Sequence, residues 1–291
     1  MRLRSLLFVP GDRPQRMEKA LTLGADALIL DLEDSVVESA KTGARKAVAA
    51  LLQHPRAAVR LFVRINPLDG GLAADDLDAV LPHRPDGLVL PKAESAGSVE
   101  ALGVLLDRHA QPSLPVLPIA TETPAAIFHL GSYGAVAGRL CGLTWGAEDL
   151  PAAIGATSAR DPDGSYTPPY EMVRALTLFA AHAAGVPAIE TVYPDFRDLD
   201  GLAAYARRGA RDGFAGMMAI HPSQVPAINA AFTPSDEAVA RARAIVAAFE
   251  ANPGAGALSL DGRMIDAPHF KQAQRVLAAA AGPAPDDAAT R

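Results

Sequence analysis

Eight short apolar runs punctuate the chain up to residue 222, and six of them close on a glycine, a proline or a charged residue. They are SLLFVPG (5–11), ALILDLED (27–34), RLFVRIN (60–66), GLVLPK (87–92), VLPIATE (116–122), LCGLTWGAED (140–149), AIETVY (188–193) and MMAIHP (217–222). Runs this short, apolar at consecutive rather than alternate positions, suit strands covered on both faces of a parallel sheet. The stretches between them, such as Arg13–Leu23, Glu38–Gln53 and Ser95–His109, carry helical periodicity. Eight strand–helix alternations predict an α/β fold, a (β/α)₈ TIM barrel. A doubly wound sheet is the competing architecture, and it is disfavoured because no glycine-rich phosphate fingerprint follows an early strand.

Beyond the eighth run the pattern changes. Ser235–Ala251 reads as an Ala-rich helix, opened by Pro234 and Ser235 and stopped near Pro253 and Gly254. The segment NPGAGALSLDGRMIDAPH reads as a loop, and a second helix follows from about Ala267 to Ala281. The expected organisation is a barrel catalytic domain over 1–233, a C-terminal helical extension over 234–281, and a tail over 282–291. The tail lacks apolar periodicity and is expected to fray. The extension, surplus to a complete barrel, must cover a barrel end or reach a neighbouring subunit.

Composition narrows the field of functions. The 291 residues suffice for a large core, and with aromatics at 5% that core is mainly aliphatic. A net charge of −6 argues against general nucleic-acid binding, which needs basic surface, but leaves room for a local basic pocket. Cys141 is the only cysteine, so no intrachain disulfide forms, which suits a reducing cytoplasm. Its apolar neighbours Leu140, Gly142 and Leu143 mark it as a small buried thiol rather than a nucleophile. The opening MRLRSLLFVPGDRP is broken by Pro10, Gly11 and Asp12 before a signal-peptide core is complete, and no stretch reaches membrane-span length. A soluble cytoplasmic protein without membrane or nucleic-acid partners is expected.

In a TIM barrel the carboxyl ends of the strands build the active site. Here those ends carry Arg13, then Asp31, Glu33 and Asp34, then Arg64 and Asn66, then Lys92, Glu122, Glu148, Asp149 and His221. Singly, each could be a helix cap, a salt bridge or a solvated loop residue: Asp31 and Glu33 could cap the next helix, Lys19 could be a solvated helix face, and His221 before Pro222 could be a turn residue. Together, so many carboxylates at one mouth repel unless a cation sits among them. Oxygen ligands favour a hard ion, Mg²⁺ or Mn²⁺, and the seven histidines show no zinc spacing. Arg64 suits a carboxylate or a developing enolate oxygen.

The motifs FVPGDRPQRMEKA, LDLEDSV, VRIN, LPKAES, ATETPAAI, WGAEDLPAAIG, AIHPSQV and DGRMIDAPH, in that order and from about Ser5 to Ala280, resemble the citrate lyase β-subunit-like family. That family belongs to the HpcH/HpaI aldolase superfamily and includes malyl-CoA and citramalyl-CoA lyases. The resemblance implies a Mg²⁺-dependent carbon–carbon lyase that cleaves a 3-hydroxyacyl-CoA thioester to a 2-oxo acid and acetyl-CoA or another acyl-CoA. It implies a homo-oligomer, a trimer or dimer of trimers. Glu122 and Asp149 fall on the family's metal ligands, and Arg64 on the arginine that holds the oxo-acid or enolate oxygen. Phe8, Arg13, Lys19, Glu148, Ile220 and His221 fall on substrate- and CoA-contacting positions. Asp31 and Glu33 would stand behind the metal waters. Asp266 falls on a catalytic aspartate that the family delivers from a neighbouring subunit.

Two positions depart from the pattern. Met217 stands where many relatives carry lysine, and Glu190 where many carry aspartate. Other outcomes at the same site are a malate synthase-like condensation, a malyl-CoA thioesterase, or an aldolase acting on free oxo acids. A further alternative is a citrate lyase β subunit that works only in complex with an acyl-carrier partner.

Overall fold

The computed structural model describes residues 1–54 and 59–281; the tail expected to fray lies outside them. Two compact units emerge, Leu3–Asn229 and a C-terminal unit from Ala230 onward that includes Met1–Arg2. The first holds eight strands: β1 (Ser5–Pro10), β2 (Ala27–Asp31), β3 (Arg60–Arg64), β4 (Gly87–Leu90), β5 (Val116–Pro118), β6 (Leu143–Thr144), β7 (Ala188–Glu190) and β8 (Gly216–Ala219). They run parallel in the order β5-β4-β3-β2-β1-β8-β7-β6. Single parallel bridges, Val116 to Leu140 and Ile119 to Thr144, join the two ends of that order. Every strand therefore neighbours its sequence neighbours around a ring. A doubly wound sheet would reverse order at a switch point, and among the described residues there is none.

The unbroken apolar runs have a simple cause. Leu6, Ala27, Ile29, Phe62, Val89, Leu117, Ile189 and Met218 form the cluster inside the barrel. Their strand neighbours Leu7, Leu28, Leu30, Leu61, Val63 and Leu88 are buried as well. Each such Leu, Ile or Phe contributes about 1.5–3 kcal/mol on full burial. Phe62 fits the interior because residue 87 is glycine: a Cβ there would sit 2.3 Å from the ring. The helices follow their caps and periodicity. In Ala96–Arg108, the Ser95 hydroxyl accepts from the Gly97 N–H, and Val99, Leu102 and Leu106 form the buried face.

In the C-terminal unit the expected helices appear as Asp236–Glu250 and Ala267–Ala281. The intervening segment is not the loop expected from its Gly and Pro content. It forms an antiparallel hairpin of β9 (Ala257–Leu260) and β10 (Arg263–Asp266). Asp261 and Gly262 make the turn, with φ of 53° and 74°. Positive φ at both central residues suits the twist of a two-residue hairpin, and Asp-Gly is a favoured pair for it. Ile265 pairs with Leu258, and both pack with Ala242, Ile245 and Ala273 of the helices. Among the described residues, no helix is long and apolar enough to cross a membrane.

Candidate active site

A cavity of about 410 Å³ opens where the strand ends of the barrel unit converge. Its lining is polar at Asp31, Asp34, Arg64, Glu122, Glu148 and Asp149, and apolar at Phe8, Ile119, Val192, Met218 and Ile220.

Arg64, the last residue of β3, anchors the polar lining. Its Nε and Nη2 donate to the two carboxylate oxygens of Asp31, each at 2.7 Å. Its Nη1 lies 2.8 Å from Glu33 Oε2, and its guanidinium stands 4.8 Å above the Phe8 ring. Burial alone would push the Asp31 carboxyl up, but Arg64 and the Ser35 and Glu33 amides hold it below the ordinary carboxylate range. Burial also opposes the charge on Arg64, and Asp31, Glu33 and Asp34 outweigh it, so its pKa is raised. Arg64 is therefore a permanent cation. Of its five donors, two are spent on Asp31, and Nη1 meets Glu33 by charge without a hydrogen bond, so the other N–H groups remain for an incoming anion. Neither Asp31 nor Glu33 caps a helix, since the next helical turn begins only at Glu38.

Glu122 follows β5 and is 4% exposed. Its Oε2 accepts from the Lys92 backbone N–H at 2.5 Å. Gly146 lets it approach, because a Cβ there would lie 2.7 Å from Glu122 Cγ. Burial pushes its carboxyl up to about 8; the Lys92 N–H opposes this, and the charges of Glu33 and Asp149 add to it. Asp149 opens the helix Asp149–Ile154, with Glu148 just before it. Five carboxylates and one guanidinium line the cavity.

That excess of negative charge fits a divalent cation. Among the described residues there is no group of three or more His, Cys, Asp or Glu placed as a metal cage. Zinc would need three or four such ligands, whereas Mg²⁺ takes one or two carboxylates and leaves its other positions to water and substrate. Glu122 and Asp149 meet that lesser requirement.

Other expected site residues are placed differently. Ile220 stands at the cavity lip, 41% exposed. His221 is an exposed turn residue: its Nδ1 meets Ser223 Oγ at 2.7 Å, and its ring stacks on Phe196 at 4.8 Å. Arg13 precedes the helix Pro14–Ala20 with its side chain 61% exposed, 3.5 Å from Asp12. Lys19 lies exposed in the last turn of that helix. Neither lines the cavity. Asp266 belongs to the C-terminal unit, where its Oδ1 lies 2.5 Å from His269 Nδ1. Asn66 is structural: its amide groups bond to buried Asp76 at 2.6 and 2.7 Å.

The two departures are buried and stand away from the cavity wall. Met217 is fully enclosed in β8. Glu190 accepts from Trp145 Nε1 at 2.6 Å, Tyr205 Oη at 2.8 Å and Arg174 Nε at 2.8 Å. Cys141 packs against the barrel cluster, and burial pushes its thiol up to about 12, far from a nucleophile. Ser35, Thr191, Val192 and Met218 also line the cavity; nothing in their residue types set them apart from ordinary core and loop positions.

A closed parallel barrel with one acidic strand-end cavity and a buried arginine defines an α/β-barrel protein of the enzyme type, with its site at the carboxyl face. The chain belongs to the HpcH/HpaI aldolase/citrate lyase family, whose model matches residues 4–222. It is 38% identical over 277 residues to a citrate lyase subunit beta-like protein of Mycobacterium tuberculosis, covering 93% of each chain. It is 34% identical to the mitochondrial citramalyl-CoA lyase of Rattus norvegicus, over 94% of this chain and 85% of that one. The crystal structure of the Mycobacterium tuberculosis protein CitE in complex with magnesium, acetoacetate and coenzyme A superposes with a TM-score of 0.79 at 36% identity, covering 96% of this chain and 98% of that one.

Proposed function

We propose that this protein is a Mg²⁺-dependent carbon–carbon lyase that cleaves a 3-hydroxyacyl-CoA thioester to a 2-oxo acid and a shorter acyl-CoA. The observation that carries the reading is the buried, cation-hungry carboxylate Glu122, set in one cavity with Asp149 and Arg64. The relatives support it: one is named a citramalyl-CoA lyase, and one is solved with magnesium, acetoacetate and coenzyme A.

In this reading Glu122 and Asp149 hold the cation. Bound there, Mg²⁺ supplies Lewis-acid stabilisation of the negative charge that develops on the substrate hydroxyl. Arg64, its orientation locked by Asp31, receives the carboxylate or enolate oxygen with its remaining donors. Loss of the hydroxyl proton to solvent water lets the carbon–carbon bond break, with its electron pair passing to the thioester α-carbon and the carbinol carbon becoming the carbonyl of the 2-oxo acid. Asp266 then protonates that carbon; in the condensing direction it removes the same proton. Phe8 and the other apolar lining residues exclude water from the enolate. Asp266 is supplied by a neighbouring copy in a trimer or dimer of trimers, which gives the C-terminal unit its purpose.

The test is incubation with Mg²⁺ and malyl-, citramalyl- and citryl-CoA, followed by mass spectrometry. An oxo acid plus a shorter acyl-CoA, lost on adding EDTA, is expected. Free CoA with an intact hydroxy acid identifies a thioesterase and overturns the reading.

A further inference from the structure

Lys92 follows Leu90 and Pro91 at the end of β4, and its φ is +50°. A side-chain-bearing residue rarely adopts this left-handed conformation. Here the backbone turns its own N–H onto Glu122 Oε2, at 2.5 Å. The rest of the residue goes elsewhere: Nζ donates to Glu33 Oε1 at 2.8 Å. The other oxygen of Glu33 lies 2.8 Å from Arg64 Nη1. Lys92 lines no part of the cavity, yet it touches Glu122 directly and reaches Arg64 through one carboxylate.

We propose that Lys92 is a positioning residue whose two parts serve different halves of the site: its left-handed backbone fixes Glu122 for the divalent cation, and its ammonium, through Glu33, fixes Arg64 for the oxo acid. The inference rests on the reading of Glu122 and Arg64 given above. Its physical content is preorganisation. The amide takes one lone pair of Glu122 Oε2, which holds the carboxylate in one orientation and leaves Oε1 without a bond to Lys92. Arg64 is gripped along one edge by Asp31, and Glu33 Oε2 stands 2.8 Å from its Nη1 as an ion-pair partner without a hydrogen bond. Held in turn by Lys92, Glu33 keeps the remaining donors aimed at the cavity. Groups fixed before binding lose less freedom when the ligand arrives.

Two substitutions separate the halves. Both Lys92→Gly and Lys92→Val lose the ammonium and keep the N–H. Glycine takes positive φ freely, whereas β-branched valine resists it. Mn²⁺ binding, followed by the loss of the free-ion EPR signal without substrate, reads the backbone half. Pyruvate binding to the Mn²⁺-saturated protein, measured by calorimetry, reads the ammonium half.

Lys92→Gly should bind Mn²⁺ within about twofold of the wild type, and Lys92→Val about tenfold more weakly, as expected for disfavouring one left-handed residue. Both should bind pyruvate about tenfold more weakly, the scale of one charge-assisted contact. Equal Mn²⁺ affinity in the two variants overturns the backbone role; unchanged pyruvate affinity in both overturns the ammonium role. If Lys92→Val fails to fold, Lys92→Ala takes its place and must bind Mn²⁺ several-fold more weakly than Lys92→Gly. Glu122→Gln is the control. Wild-type Mn²⁺ affinity in that variant would remove the cation-site reading itself, whereas its loss leaves the Lys92 variants as the test of positioning alone.

Discussion

Replacing Glu122 with glutamine should make the metal-free protein more stable while making it inert to metal. The wild-type carboxyl rises from an ordinary 4.5 to about 8 on folding. At pH 7 the folded state must therefore keep it protonated, which costs about 3 kcal/mol at 1.36 kcal/mol per pKa unit. Glutamine does not titrate, and its carbonyl can still accept the Lys92 N–H. In EDTA at pH 7, Glu122→Gln should gain on the order of 3 kcal/mol, a rise in Tm of roughly 6–12 °C for a chain of this size.

The sign with pH is also determined. A raised carboxyl pKa means the folded state binds more protons between the two values. Metal-free wild type should therefore lose stability as pH climbs from about 4.5 to 8, then level off. The variant should lack this component. Mg²⁺ at about 100 times its Kd should restore roughly 2.7 kcal/mol to the wild type and nothing to the variant, which should also have no lyase turnover. Thermal melts from pH 5 to 9 in EDTA and in Mg²⁺ measure all of this. A Glu122→Gln protein that melts below wild type in EDTA, or gains as much from Mg²⁺, would refute the reasoning.

The buried pair beneath the site makes a second prediction. Arg174 is 5% exposed at its side chain and Glu190 fully buried, 2.8 Å apart. Arg174→Met strands the carboxylate and should cost about 3–5 kcal/mol in urea unfolding; a loss under about 1 kcal/mol would show that Trp145 and Tyr205 suffice to hold Glu190. Asp266→Asn should fold and assemble normally but lose most turnover. Mixed with Arg64→Lys, which keeps a cation beside Asp31 without the forked geometry, it should recover part of the activity if sites are shared between copies. No recovery after verified subunit exchange would contradict sharing.

The barrel was legible because its strands are buried on both faces. Eight apolar runs with turn residues between them leave little else to form, and β1 to β4 occupy the first four. The sixth run promised ten residues and yields a strand of two, Leu143–Thr144. Gly142 and Gly146 stand on either side of it, and Gly146 leaves room for Glu122. The hairpin at 257–266 was missed because Gly and Pro before it suggested a loop. The decisive signal, Asp261–Gly262 between the short segments A-L-S-L and R-M-I-D, is only four residues deep on either side. Within the site, Glu122, Asp149, Arg64 and Asp31 stood out by charge at strand ends, and they do converge around one cavity. Lys92 stood at a strand end too, but its part depends on a backbone dihedral that no side-chain pattern announces. Lys19 carries its expectation from the family motif alone, and Arg13 and His221 from that motif together with their places at strand ends. Nothing in the arrangement of this single chain distinguishes Arg13 and Lys19 from solvated helix residues.

In the proposed function Glu122 and Asp149 grip a divalent ion which the oxo acid also touches. A crystal soaked with Mn²⁺ and pyruvate, measured for anomalous scattering, tests it most directly. A single peak between those two carboxylates, with the pyruvate oxygens on the ion and its carboxylate toward Arg64, is the predicted result. A peak elsewhere, or none with the two side chains turned apart, would contradict it.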